Sequence, residues 1–167
     1  MTKLGFMMGA AIVCAVAVAL AGPPVSSQVR NNDASTTIAA TAAAKQAHRL
    51  VLQVNSDEPE VMTLALNNAA NVERHYTGLG EKIEIEIVAF GPGLHMFRDD
   101  TSPVKDRIKA MAEKTSSITF KACGNTQENM AKKENKPIHL VSQASVVKSG
   151  VVRVMELQEQ GWSYVRP

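Results

Sequence analysis

The chain has 167 residues and a nearly balanced charge, with 18 basic and 16 acidic side chains. Proteins that bind nucleic acid carry a clustered basic surface, so this balance argues against a nucleic-acid partner. The only two cysteines, Cys14 and Cys123, provide neither a zinc-binding spacing nor a disulfide framework, and we expect no metal and no cofactor.

Residues 1–21 have the pattern of a secretory signal peptide. Lys3 is the only charge before a long apolar stretch, and Ala19-Leu20-Ala21 supplies a small-x-small cleavage site. Cleavage predicts an exported, periplasmic protein with no stable membrane insertion. The alternative is an uncleaved membrane anchor, because the apolar run is close to the roughly 18 residues that a bilayer requires.

Residues 22–47 are rich in alanine, serine, threonine and proline, without large apolar residues at a fixed period. This composition predicts a flexible tether. The remaining residues, 48–167, have the length of a single folded domain.

The hydrophobic pattern of the domain alternates between strands and helices. Pro59 suits the first turn of a helix, and the apolar positions after it recur at helical spacing until Gly78 and Gly80. Asn125, followed by Glu128 three residues later, resembles a capping box for a third helix. In chain order, the predicted strands are residues 50–54, 82–90, 118–122, 138–141 and 162–165, and the predicted helices begin near residues 59, 102, 125 and 147.

Five strands separated by helices predict an α/β fold, a three-layer α/β/α arrangement with a five-stranded, mainly parallel sheet. The connections between parallel strands are right-handed by default. In such sheets, reactive groups lie beyond the carboxyl ends of the strands. The polar segments 55–58, 91–95, 123–126 and 142–145 follow predicted strands and therefore define the candidate site.

Cys123 is the candidate catalytic residue, because it lies where the third predicted strand gives way to a helix. The N-terminus of a helix presents unpaired N–H groups and a partial positive charge, which favour the nucleophilic thiolate. We expect this thiol to be open to solvent and unusually acidic. The alternative is a small buried side chain that only packs, since free cysteine is among the most buried residue types.

Four neighbours of Cys123 are candidate supporting residues. Asn125 and Thr126 can offer hydrogen bonds to a thiolate or persulfide, although each also fits a simple helix cap. Gly124 belongs to the same segment. His95 follows the tight turn formed by Gly91-Pro92-Gly93 and is a candidate proton donor, with a solvated loop histidine as the alternative.

Five segments in order along the domain resemble the DsrE/DsrF-like family, in its subgroup of small, often exported proteins. The matching segments are 65–71 (ALNNAAN), 88–94 (VAFGPGL), 122–126 (ACGNT), 149–152 (SGVV) and 157–167 (LQEQGWSYVRP). The resemblance implies a three-layer α/β/α fold and assembly into trimers or hexamers. It also implies a role for Cys123, since a cysteine at this position in the sulfur-handling members carries sulfur as a persulfide and passes it to a partner protein.

These observations lead to one main functional hypothesis and two alternatives. The main hypothesis is an exported, homo-oligomeric sulfur carrier or sulfurtransferase-like protein that relays sulfane sulfur through a persulfide on Cys123, between a donor and an acceptor protein. The first alternative is a non-enzymatic binding or scaffold module in which Cys123 only packs. The second is a thiol redox sensor in which Cys123 pairs across two chains.

Overall fold

A computed structural model describes residues 47–167. The expected signal peptide at 1–21 and all but the last residue of the expected tether lie outside the described residues. The strands are β1 (His48–Val54), β2 (Ile83–Ala89), β3 (Ile118–Cys123), β4 (Ala144–Val147) and β5 (Ser163–Val165). The helices are α1 (Pro59–Gly78), α2 (Lys105–Lys114), α3 (Gly124–Glu134) and α4 (Gly150–Glu159), with a 3-10 helix at Gly91–Phe97 between β2 and α2.

The five strands form one parallel sheet in the order β4-β3-β2-β1-β5, which confirms the predicted α/β class. The chain advances from β1 to β4 in one direction, so right-handed connections put α1, α2 and α3 on the same face. It then returns across the whole sheet to β5, and α4 packs on the opposite face. The result is the predicted three-layer α/β/α architecture.

The main core lies on the face that α1, α2 and α3 cover. In α1, Met62, Ala65, Leu66 and Ala69 are fully buried, at the spacing of one helical stripe. They pack against alternate side chains of the central strands. Burying one large aliphatic side chain in this way contributes about 1.5–3 kcal/mol to folding.

Arg98 is a charged side chain buried beside the main core, with 1% of its surface exposed. Its guanidinium donates to the carboxylates of Asp100, at 2.8 and 2.9 Å, and of Glu134. Glu134 is the last residue of α3, and Arg98 directly follows the 3-10 helix. The ion pairs therefore fasten these two elements to each other at their carboxyl ends.

The fourth strand lies further along the chain than the sequence pattern predicts. Residues 138–141 are irregular apart from one bridge between Leu140 and Arg98, and β4 pairs Ala144 to Val147 with β3. The prediction was wrong because Ile138 and Val141 are buried by packing, and burial alone does not make a strand. The fourth helix accordingly begins at Gly150, since residue 147 still belongs to β4.

Candidate functional site

Cys123 is the last residue of β3 and the N-cap of α3, so the strand passes into the helix without an intervening loop. Its neighbour Ala122 packs into the main core, and side chains alternate along a strand. The Cys123 side chain therefore lies on the other face of the sheet, where α4 begins. In the adjacent strand it is paired with Val147, the last residue of β4.

Two helices begin next to this sulfur because their first residues are glycines. A Cβ atom on Gly150 would lie 2.8–3.1 Å from atoms of the Phe90 side chain, and one on Gly124 would lie 3.1 Å from Val146 Cγ1. A larger residue at position 150 would push the start of α4 away from the sheet. The predicted supporting residue Gly124 is thus placed at a point of close packing.

The hydrogen-bond donors around the sulfur outweigh the effect of its burial. Burial raises the pKa of the Cys123 thiol, but the hydroxyl of Thr126 and the backbone N–H groups of Gly150, Thr126 and Asn125 lower it, and the net pKa lies below the ordinary value. Cys123 makes no regular side-chain cap hydrogen bond at the start of α3. The Thr126 hydroxyl and the three backbone N–H groups lower the pKa because they favour the charged form of the sulfur.

The Thr126 hydroxyl is oriented by a second contact. The backbone N–H of Gly91 donates to Thr126 Oγ1 at 3.0 Å, which leaves the hydroxyl hydrogen available for the sulfur. Gly91 has a φ of 55°, a left-handed conformation that favours glycine. The segment 91–93, predicted as a tight turn near the site, therefore begins a 3-10 helix that supports Thr126.

The expectation that the thiol is open to solvent was wrong. Only 4% of the Cys123 surface is exposed in the single chain, because the first turns of α3 and α4 close over it. The surroundings are nevertheless rich in polar donors. Hydrogen-bond donors therefore lower the pKa of the Cys123 thiol, but the side chain lacks the expected exposure.

The other candidate residues divide into two groups. Asn125 lies beside Cys123, and its backbone N–H also donates to the Lys148 carbonyl at 3.1 Å. His95 makes a 2.8 Å hydrogen bond between Nδ1 and Thr101 Oγ1, and it is not among the groups that shift the pKa of Cys123. Asn125, Thr126 and Gly124 are thus brought together with the cysteine, whereas His95 is directed to its own loop.

The segment at the carboxyl end of β4 is the part of the site that sequence reasoning missed. Residues 142–145 were expected there, but β4 begins at Ala144, and Lys148, Ser149 and Gly150 occupy the position instead. These three residues could have been found if the stretch before Gly150 had been identified as the fourth strand. The earlier apolar run at 138–141 was a stronger but misleading pattern.

An open cleft of about 610 Å³ lies directly beside these segments, between the end of β4 and α4. Its lining includes Asn125, Lys148, Ser149 and Arg153. Within residues 47–167 there is no group of three or more side chains suited to hold a metal ion. The same part of the chain contains no helix long and apolar enough to cross a membrane.

Comparison with known proteins shows a similarity to a solved structure. No protein-family model matches the sequence, and no curated protein matches it. Among solved structures, the chain is similar to MTH1491, a protein of unknown function from Methanobacterium thermoautotrophicum. The two are 27% identical with a TM-score of 0.61, over 72% of this chain and 99% of the other. The similarity supports the α/β fold, and the name of the relative states no activity.

Proposed function

We propose that this protein is a sulfur carrier of the sulfurtransferase type, related to the DsrE/DsrF-like proteins, in which Cys123 holds sulfane sulfur as a persulfide. The observation that carries the proposal is the set of four hydrogen-bond donors around Cys123, the Thr126 hydroxyl and the backbone N–H groups of Gly150, Thr126 and Asn125, which lower the pKa of the thiol despite its burial. A thiolate is the form of cysteine that attacks sulfur.

The reaction has two balanced steps. The Cys123 thiolate attacks the outer sulfur of a persulfide or thiosulfate, an S–S bond forms to Sγ, and the donor's own S–S bond breaks with the electron pair leaving on the donor. A thiolate of the acceptor protein then attacks the outer sulfur and releases Cys123 as thiolate. No external oxidant or reductant is consumed, and the N–H groups around Sγ stabilise the Cys123 thiolate that begins the first step and leaves in the second.

The location and assembly belong to the same proposal. The signal-peptide pattern at 1–21 supports export to the periplasm, with donor and acceptor proteins in that compartment. Exposed apolar side chains support a homo-oligomer: Val151 and Met155 on α4 are 53% and 55% exposed, and Tyr164 and Val165 on the edge strand β5 are 39% and 41% exposed. The resemblance to the DsrE/DsrF-like family implies that this oligomer is a trimer or hexamer. Light scattering at micromolar concentration tests the assembly, and a monomer there contradicts it.

The direct test of sulfur transfer is mass spectrometry of the protein after exposure to thiosulfate or polysulfide. A persulfide adds one sulfur atom, about 32 Da, to the peptide that contains Cys123. The Cys123→Ser variant serves as the control and gains nothing. A Cys123 that reacts with iodoacetamide but never gains sulfur contradicts the proposal.

A binding module in which Cys123 only packs is the second candidate, and the 4% exposure of the cysteine favours it. In that case Cys123→Ala retains all partner binding, and the wild-type protein acquires no sulfur. The redox-sensor alternative requires two Cys123 sulfurs to approach to about 2 Å across two chains, so two closed sites would have to open at once, whereas sulfur transfer requires one. Non-reducing electrophoresis tests it, because a covalent dimer would disappear with reductant.

A further inference from the structure

Glu86 is a charged side chain in an unexpected place. It lies in the middle of the central strand β2 and is 3% exposed, while its neighbours Ile85 and Ile87 point into the main core. By alternation, the Glu86 carboxylate faces α4. Burying an ionised carboxylate is costly unless it is paired and hydrogen-bonded.

Arg153 of α4 supplies that pairing. Its Nε atom donates to Glu86 Oε1 at 2.6 Å, and its Nη2 atom donates to Oε2 at 2.9 Å. This two-pronged geometry fixes direction as well as distance. Arg153 lies one helical turn after Gly150, whose N–H is one of the donors that act on the Cys123 sulfur.

The apolar packing of α4 on the sheet is small. The helix has ten residues, and its fully buried apolar contact is Val154 and Leu157 against Val51 and Val88, with the partly buried Phe90 and Trp162 beside them. Apolar contacts of this size resist removal from the sheet but do not prevent small sliding or rotation, because they are not directional. The bidentate ion pair supplies the missing directional constraint.

We propose that Glu86 and Arg153 are positioning residues for Cys123, and that their ion pair holds the first turn of α4 so that the Gly150 N–H stays directed at the sulfur. Neither side chain is among the groups that act on the sulfur directly. The inference rests on the proposed function in one respect: the acidity that the pair maintains matters because the thiol reacts.

The direction in which the pKa of Cys123 moves when Glu86 is neutralised distinguishes a positioning role from a direct electrostatic effect. Removing the negative charge of Glu86 by itself favours a nearby thiolate, and so would lower the pKa of Cys123. Loss of the Gly150 donor would raise it. The other charged groups around the site are Lys121 on β3, whose Nζ donates to a serine on β4, Lys148 in the loop before α4, and Glu156 on α4. None of these changes in the variants below.

The experiment measures the rate of iodoacetamide alkylation of Cys123 as a function of pH. In Glu86→Gln the midpoint should move upward by about half to one pH unit, and the rate at neutral pH should fall about 3- to 10-fold. Arg153→Lys keeps the positive charge but cannot make the two-pronged contact, and should shift the midpoint in the same direction. Glu84→Gln, an exposed carboxylate on the same strand, is the matched control and should leave the midpoint unchanged.

Each outcome decides the question. An unchanged or lowered midpoint in Glu86→Gln overturns the proposal, even if the variant melts at a lower temperature, because a purely structural role changes stability alone. If Glu86→Gln does not fold, Arg153→Lys gives the same decision. If the wild-type thiol never acquires sulfur but both variants raise its midpoint, the sulfur-carrier function fails while the positioning role stands.

Discussion

Within residues 47–167, three helices cover a core of twenty buried residues on one face of the sheet, whereas α4 covers a cluster of only four on the other. The first face is held by apolar packing, with the Arg98 ion pairs at its edge. The second face combines that small apolar cluster with an ion pair between the buried Glu86 and the partly buried Arg153. Cys123 lies at the rim, and its side chain belongs to the second face.

The difference suggests that folding stability and site geometry are separable in this protein. The larger core fixes β3, and with it the backbone of Cys123. The position of the Gly150 N–H depends instead on α4 and its polar anchor. Changes on the first face should therefore alter the free energy of unfolding, and changes on the second should alter the chemistry of the thiol.

The largest expected effect comes from the main core. Leu66→Ala removes a fully buried side chain and should lower the free energy of unfolding in urea by about 2–5 kcal/mol. The alkylation midpoint of Cys123 should not change in the folded protein. Val154→Ala on α4 is the matching variant on the second face. It should lower the free energy of unfolding by less than Leu66→Ala does, and it should raise the alkylation midpoint of Cys123. The separation of the two faces is refuted if Leu66→Ala shifts the midpoint as much as Val154→Ala does.

Gly150→Ala tests the close approach of α4 to the sheet. The added methyl group would lie 2.8 Å from the Phe90 ring, so α4 must move, at a cost of about 1–3 kcal/mol. The movement should withdraw the Gly150 N–H and raise the alkylation midpoint. Gly78→Ala, at the end of α1, is the control, since nothing lies within 4 Å of its added Cβ. Equal midpoints in the two variants would contradict the account.

Local patterns in the sequence were sufficient for much of the fold but not for the site. The helix from Pro59 to Gly78 was predicted at both ends, because proline and glycine act within a single turn. The apolar run 138–141 was wrongly predicted as a strand, since a buried irregular segment can have the same apolar composition as a strand. Nothing local indicates that Gly91 donates to Thr126, because these residues are 35 positions apart.

Thr126→Val tests the contribution of a single hydroxyl on α3. The variant keeps the shape of the side chain but loses both the donor to Cys123 and the acceptor for Gly91. The alkylation midpoint should rise by about one pH unit, a difference of about 1.4 kcal/mol between the two protonation states. Thr126→Ser retains the hydroxyl and should restore the wild-type midpoint. A rise of the same size in Thr126→Ser would show that packing, and not the hydrogen bond, is responsible.

The smallest effect concerns acid stability on the first face. Arg98 lowers the pKa of both Asp100 and Glu134 below their ordinary values of 3.8 and 4.5. Carboxylates with depressed pKa values stabilise the fold at higher pH, and this stability is lost as pH falls below about 4.5 through the lower folded values. Thermal unfolding between pH 6 and pH 3 should show this loss, and Glu134→Gln should reduce it. An identical pH dependence in the variant would contradict the role of this pair.

The most direct test of the account is the pKa of Cys123 in the unmodified, full-length protein, measured from the pH dependence of its alkylation. We predict a midpoint below the ordinary thiol value of 9.0. We also expect alkylation to be slow at every pH, because only 4% of the residue is exposed. A midpoint at or above 9.0 would mean that burial prevails over the donors of α3 and α4. That result would contradict the proposed role of Cys123.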